Sequence, residues 1–144
     1  MKIALAADHG GFELKEKVKV HLQQKGYDVL DLGCNNDGES VDYPNYGRAC
    51  GEAVMRGDAE RGIAFCGTGI GISIAANKVK GIRCALCTSL FMAEMASKHN
   101  NANMLALGGR ILETELALGI VDMWLTTEFE GGRHKNRTDL LDSM

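Results

Sequence analysis

Apolar and polar residues alternate along the chain in a way that predicts strands and helices in turn. Residues 2–7 form an apolar run, as in a strand that is covered on both faces. Further strands are predicted at 27–32, 62–65, 84–86 and 104–107. The segments between them carry apolar residues at helical spacing, such as Leu14, Val18 and Leu22. They predict helices at about 12–25, 42–56, 72–78, 89–98 (capped by Ser89) and 113–125.

Strands that alternate with helices predict one α/β domain over residues 1–144. Right-handed crossovers between such strands give a parallel sheet with helices on both faces. Ligands of these sheets bind beyond the carboxyl ends of the strands. The segments that leave those ends are 8–11, 66–71 and 108–110. His99 and Asn100 precede the fifth strand, so that they need the tertiary fold to reach the site.

Composition and charge exclude several classes of protein. Apolar residues make up 45% and charged residues 24% of the chain, as in an ordinary soluble domain. The net charge of −3 argues against a nucleic-acid binder, so any basic cluster is expected to serve a small anion. The longest charge-free stretch is too short for a membrane span, and residues 3–7 are too few for the core of a signal peptide.

Five cysteines are an odd number for a disulfide framework. Without a signal sequence, they predict reduced thiols and a cytoplasmic location. Cys84 and Cys87 have the spacing of a metal or redox pair, but no second pair and no nearby histidine completes a zinc site. Their place in a predicted strand puts them on opposite faces, which favours buried core thiols. We expect no metal and no cofactor.

The segment Cys66-Gly67-Thr68-Gly69-Ile70-Gly71 lies between a predicted strand and a predicted helix. Its glycines let backbone N–H groups converge, and the helix N-terminus adds positive potential, which suits a phosphate or a developing oxyanion. A helix N-terminus also favours the thiolate form of a cysteine. Ile72 stands where a dinucleotide loop needs glycine and a cysteine phosphatase needs arginine, and no P-loop Gly-Lys-Ser/Thr is present. A tight turn around a buried thiol is the simpler alternative.

Other residues are candidates for the chemistry, each with a plainer structural explanation. The Asp8-His9 pair fits proton transfer and anion binding, although an acid there often caps the next helix. His99 ends a predicted helix, where the dipole favours a cationic histidine. Arg133 and Arg137 are four residues apart, so one helix face presents both to a phosphate or simply to solvent. The same choice applies to Arg110, which follows two glycines.

Several motifs together resemble one family over essentially the whole chain. They are Asp8-His9-Gly10-Gly11, Asp42-Tyr43-Pro44, Cys66-Gly-Thr-Gly-Ile-Gly-Ile-Ser-Ile-Ala-Ala-Asn-Lys78, His99-Asn100 and Glu130-Gly-Gly-Arg-His134. The sequence is similar to the ribose-5-phosphate isomerase B family, which includes galactose-6-phosphate and allose-6-phosphate isomerases. The resemblance implies a Rossmann-like three-layer α/β/α fold with a five-stranded parallel sheet, and a metal-free aldose–ketose isomerase. It also implies a homodimer with active sites at the subunit interface, with the tail at about 126–144 packed there; whether dimers pair into a tetramer stays open.

The resemblance also implies roles for residues at the matching positions. Cys66 corresponds to the base that takes the C2 proton, and His99 to the acid–base group of ring opening, assisted by Asp8. Thr68 corresponds to a partner for proton movement between O1 and O2. The remaining positions correspond to substrate contacts, with Gly67, Gly69, Ile70 and Gly71 around the enediolate, Asn100 at a sugar hydroxyl, and His9, Arg110, Arg133 and Arg137 at the phosphate.

The chemistry is coherent from the residues alone, because isomerising an aldose phosphate needs a base, an oxyanion cradle, a ring-opening group and a phosphate handle. Ribose 5-phosphate is the expected substrate, since Cys66 is present and one subunit type of the galactose-6-phosphate branch lacks that cysteine. Allose 6-phosphate and galactose 6-phosphate remain alternatives. A phosphate-binding, receiver-like module on the same fold is the alternative from another class, although Cys66 stands where a receiver needs aspartate.

Overall fold

The computed structural model describes residues 1–144 and contains one sheet in which all neighbouring strands run parallel. The strands are β1 (Lys2–Ala7), β2 (Asp28–Asp31), β3 (Arg61–Cys66), β4 (Cys84–Leu86) and β5 (Met104–Gly108). Their order across the sheet is β2-β1-β3-β5-β4. Since β2 and β3 lie on opposite sides of β1, the loops after β1 and β3 flank the crevice where ligands of such sheets bind. The predicted strands and their parallel pairing are confirmed.

Six helices connect and flank the strands: α1 (Phe12–Gln24), α2 (Tyr43–Met55), α3 (Ile70–Asn77), α4 (Leu90–Lys98), α5 (Thr114–Thr126) and α6 (Arg133–Asp142). The first five match the predicted helices to within a few residues. The predicted cap is also present, because the Ser89 hydroxyl accepts the Met92 N–H at 3.1 Å. The bounds of α6 were not predicted, although Arg133 and Arg137 were placed on one helix face, since this segment is mostly polar and buries only His134 and Thr138.

The two faces of the sheet bury side chains of different size, because alternate residues of a strand point to opposite faces. The larger side chains face α1, α4 and α5, and they include Ile3, Leu5, Ile63, Phe65, Leu105 and Leu107. The opposite face, towards α2 and α3, is mostly small, with Ala4, Ala6, Ala64, Cys66 and Ala106. Helices on both faces give the three-layer α/β/α fold that the resemblance implied. Small side chains let α2 and α3 pack close to the sheet on the face that carries Cys66.

Helices α2 and α3 also lie close to each other. A Cβ atom added to Gly47 of α2 would lie 2.9 Å from the Ile72 carbonyl oxygen of α3. This contact fixes the position of α3, which begins directly after the glycine-rich loop.

All five cysteines are free thiols. Cys84 packs with the core under α2 and α3, and Cys87 with the core on the other side of the sheet, so their predicted placement on opposite faces is confirmed. None of the helices combines the length and the apolar composition that a membrane-spanning helix needs.

Candidate active site

The carboxyl ends of the three central strands bring three loops into contact. The loop after β5 is hydrogen-bonded to the loop after β3, with Gly109 N–H donating to Cys66 O at 2.8 Å and Arg110 N–H to Gly67 O at 2.9 Å. The loop after β1 lies against them, because a Cβ atom added to Gly10 would be 3.0 Å from Gly67 N. Most of the predicted site residues therefore share this edge of the sheet: Asp8, His9, Cys66, Gly67, Thr68, Gly69, Ile70, Gly71 and Arg110.

The thiol of Cys66 lies at the start of α3. Cys66 is the last residue of β3, and its Sγ accepts the Gly69 N–H at 3.1 Å. Gly69 has a φ of 82°, and a Cβ atom there would lie 2.7 Å from the Leu86 side chain and 3.0 Å from the Leu107 carbonyl carbon. Only glycine fits this turn, which aims a backbone N–H at the sulfur. Such a donor and the N-terminus of α3 both direct positive partial charge at the sulfur.

The four other thiols are in surroundings that oppose ionisation. Burial raises the pKa of Cys50 to about 12. Burial likewise raises the pKa of Cys87 to about 11. The pKa values of Cys34 and Cys84 are also raised, again chiefly by burial. None of these thiols is suited to take a proton near neutral pH.

Asp8 and His9 are both tied to the backbone by one side-chain atom. Asp8 Oδ1 accepts the N–H groups of Gly10 at 2.9 Å and Gly11 at 3.1 Å. It therefore closes the turn before α1 and does not cap the helix, since α1 has Gly11 as its N-cap residue and no side-chain cap hydrogen bond. Oδ2 makes no hydrogen bond within the chain. His9 Nδ1 accepts the Val41 N–H at 3.1 Å, so a neutral ring carries its proton on Nε2. Nε2 is then a donor for a ligand oxygen.

The guanidinium of Arg110 lies over the loops after β1 and β3. A Cβ atom added to Gly67 would be 2.9 Å from its Nη1. Arg110 and His9 line a recess of about 360 Å³. The same recess is lined by Glu13, Lys17, Asp37 and Thr114, which carried no signal in the sequence because α1, the loop after β2 and α5 meet only in the folded chain. The edge thus offers an arginine and an imidazole donor to an anionic group.

The outer side of the glycine loop is partly apolar. Thr68 Oγ1 accepts the Ile70 N–H at 3.2 Å, which holds the hydroxyl at the loop. The ring of Tyr43 covers the next turn, because a Cβ atom added to Gly71 would lie 2.7 Å from it. Tyr43 stood in one of the sequence motifs but had no predicted role.

The remaining predicted residues lie at the opposite edge of the sheet. His99 ends α4, and the Asn103 carbonyl a few residues later accepts the Gly62 N–H at the start of β3. A strand rises about 3.3 Å per residue, so Gly62 and Cys66 at the two ends of β3 are roughly 13 Å apart. Helix α6 lies at this edge as well, since Asp142 accepts a hydrogen bond from Arg83 just before β4. One chain therefore does not bring the second group, His99, Asn100, Arg133 and Arg137, to the thiol.

His99, Glu130 and His134 form a group of potential metal ligands whose donor atoms lie within 4.8 Å of one another. The two imidazole rings are stacked, with centroids 4.1 Å apart and planes inclined by 10°. The in-plane lone pairs of two parallel stacked rings lie in parallel planes, so they do not converge on one centre about 2.0–2.2 Å away, as zinc needs. The arrangement therefore does not fit a zinc ion held by both histidines.

Comparison with known proteins shows which family the chain belongs to. Residues 3–141 match the model of a family described as ribose/galactose isomerase. The chain belongs to the ribose/galactose isomerase family. It is 44% identical to ribose-5-phosphate isomerase B of Escherichia coli over 143 residues, which cover 99% of this chain and 95% of that protein. It is 45% identical to D-erythrulose-4-phosphate isomerase of Pectobacterium atrosepticum over 132 residues, which cover 92% and 87%.

Solved structures of ribose/galactose isomerase family members are very similar to this one. Ribose-5-phosphate isomerase B of Clostridium thermocellum has a TM-score of 0.97 at 52% identity, covering 99% of this chain and 96% of that chain. The enzyme of Mycoplasma genitalium, solved with bound ribulose-5-phosphate, has a TM-score of 0.94 at 40% identity, covering 99% and 94%. The family and the fold expected from the motifs are confirmed, and the protein is a sugar-phosphate isomerase.

Proposed function

We propose that this isomerase interconverts ribose 5-phosphate and ribulose 5-phosphate by metal-free proton transfer through an enediolate. The observation that carries the proposal is the 3.1 Å hydrogen bond from Gly69 N–H to Cys66 Sγ at the start of α3. The Cys66 thiolate takes the C2 proton of the open-chain aldose and returns a proton to C1. The backbone N–H groups of residues 67–71 stabilise the enediolate oxygens, and the Thr68 hydroxyl moves a proton between O1 and O2.

Ring opening and phosphate binding use the remaining residues. His99 exchanges protons with the ring oxygen and the anomeric hydroxyl, because imidazole accepts and donates protons readily near neutral pH. Asp8 assists through Oδ2, the oxygen that the backbone leaves free. The phosphate is held by His9, Arg110, Arg133 and Arg137, and Asn100 contacts a sugar hydroxyl.

A homodimer completes the site in this proposal. One subunit supplies the carboxyl-edge residues around Cys66, and its partner supplies the amino-edge residues around His99. A two-fold axis makes each such contact twice, and so gives two sites per dimer. Exposed apolar side chains on α3 and α4 support such a contact, among them Ile70 at 52%, Ile74 at 57% and Phe91 at 68% exposure.

The substrate itself has a second candidate. A relative with 45% identity is named for D-erythrulose 4-phosphate. An aldotetrose 4-phosphate has no free hydroxyl that could close a stable ring, so its isomerisation needs no ring-opening group. Allose 6-phosphate and galactose 6-phosphate are further alternatives within the family. Comparing kcat/KM for these substrates with that for ribose 5-phosphate on the purified protein decides among them, and a higher value for any other substrate would overturn the proposed preference.

Mixed dimers test whether the site is composite. Co-expressing Cys66→Ala and His99→Asn chains with different affinity tags gives a heterodimer in which one site has both residues and the other has neither. Its activity should be about half that of the wild-type dimer. The matched control pairs a wild-type chain with a chain that carries both substitutions, which damages both sites and should be nearly inactive. The reverse result, an active control and an inactive mixture, would place each site within one chain.

A further inference from the structure

The imidazole of His99 is held by stacking rather than by a hydrogen bond. Its Nε2 lies 3.6 Å from Glu130 Oε1, which is close enough for charge attraction but too far for a hydrogen bond. The ring of His134 lies parallel to it with centroids 4.1 Å apart. Stacking fixes the plane of the His99 ring and leaves both ring nitrogens free for a substrate.

The backbone before α6 delivers His134 to this position. Glu130 N–H donates to the Lys98 carbonyl at 3.0 Å, which ties this segment to the end of α4. Gly131 and Gly132, with φ of 70° and 58°, then turn the chain into α6. His134 is 7% exposed, whereas the side chain of His99 is 39% exposed. The buried His134 ring is therefore held in place by the fold, and the exposed His99 ring is the one that can contact a ligand.

We propose that His134 is a positioning residue that holds the His99 imidazole in the orientation needed for ring opening. The inference rests on the ring-opening role proposed for His99. Burial and the nearby His99 and Arg133 lower the pKa of His134, which favours the neutral form of its ring. Through α6, the same stack joins His99 to the two arginines proposed for the phosphate.

The test compares ring opening with proton transfer in the same variants. Turnover of ribose 5-phosphate requires ring opening, whereas exchange of the C1 hydrogen of ribulose 5-phosphate with solvent starts from an open chain. His134→Ala should lower kcat for ribose 5-phosphate by about 10–100-fold, since small misplacements of a reacting group cost that much. KM and the C1 exchange rate should change by less than about threefold. His134→Phe keeps a ring to stack on and should restore most of the turnover.

A double substitution separates this inference from the role of His99 itself. If His134 acts through His99, adding His134→Ala to His99→Asn should cause no further loss. Multiplicative losses would overturn the inference, and so would a His134→Phe enzyme as impaired as His134→Ala. Equal loss of turnover and exchange in His134→Ala, with a raised KM, would show that it merely secures α6, and it would also overturn the inference.

Failure of the ring-opening proposal gives a different pattern. His99→Asn would then lower exchange as much as turnover, while the lack of further loss in the double variant would still support positioning by His134. His21→Ala is the control, because His21 is another helical histidine, partly buried and hydrogen-bonded to Asp122 at 2.9 Å. It should leave kcat, KM and exchange unchanged.

Discussion

Replacing Cys66 with serine separates the proposed base from its structural role. The serine hydroxyl takes nearly the place of Sγ and can still accept the Gly69 N–H, which now donates to sulfur at 3.1 Å. A hydroxyl stays protonated near neutral pH, so it cannot replace a thiolate as base. Cys66→Ala removes both the base and the acceptor.

The two variants should therefore differ in stability but not in activity. Loss of a general base lowers kcat by about 10²–10⁴-fold. At about 1.4 kcal/mol per tenfold, this is roughly 3–6 kcal/mol of transition-state stabilisation. Because the hydrogen bond to Cys66 is buried, alanine leaves the Gly69 N–H without a partner, at a cost of about 1–3 kcal/mol in the free energy of unfolding. The Cys66→Ser variant should unfold at nearly the same urea concentration as the wild-type protein.

The assay combines steady-state turnover with C1 hydrogen exchange, substrate binding and urea unfolding. Both variants should bind ribose 5-phosphate while losing turnover and exchange together, since both steps need the base. Cys34→Ser and Cys87→Ser are thiol controls and should keep their activity. A serine variant that retains more than about a tenth of wild-type turnover would refute Cys66 as the base.

The other predictions concern ring opening, metal and acid stability. His99→Asn should lower turnover of ribose 5-phosphate strongly while C1 exchange of ribulose 5-phosphate largely survives; equal losses would move His99 to proton transfer or binding. Exhaustive treatment with a chelator should leave turnover of ribose 5-phosphate unchanged. A loss of turnover that is reversed by a divalent ion would contradict the thiol mechanism. Burial raises the pKa of Asp31, but hydrogen bonds led by that from Lys15 outweigh it and lower the pKa below 3.8. The ionised Asp31 carboxylate therefore stabilises the fold in full at pH values above 3.8, and this stabilisation is lost as the pH falls through the lowered pKa. Urea unfolding at a series of pH values should show that Asp31→Asn removes this acid-dependent loss of stability.

The spacing of apolar residues along the chain predicted those strands and helices that bury one face or both. The apolar run at residues 2–7 became β1 without change of bounds, and the four-residue spacing of Leu14, Val18 and Leu22 marked the buried side of α1. The bounds of α6 were not predicted, because few of its residues are buried and its sequence therefore has no apolar residues at helical spacing. The insertion of β5 between β3 and β4 was also not predicted, because it depends on pairing between strands distant in the sequence.

In the candidate site, too, residues that are contiguous in the sequence were predicted, and residues that meet only in the folded chain were not. The loop around Cys66 is contiguous, and its glycines form a pattern between a predicted strand and a predicted helix, so it was predicted as a unit. The recess beside Arg110 was not, because Glu13, Asp37 and Thr114 meet only in the folded chain. The stack of His134 on His99 joins residues 35 positions apart and left no pattern of its own. The roles assigned to all of these residues stay predictions until they are tested.

The position of His99 follows from the chain's connectivity rather than from its local sequence. A helix that precedes a strand of a parallel sheet ends at the amino edge, so His99 lies there while Cys66 ends its own strand at the other edge. No rotation of side chains within one subunit spans β3, whose residues Gly62 and Cys66 are roughly 13 Å apart. In the proposed homodimer, the amino edge of one subunit would lie against the carboxyl edge of its partner, which would join the two groups of residues without changing the fold. On that proposal, the single chain is the unit that folds, and the pair is the unit that catalyses.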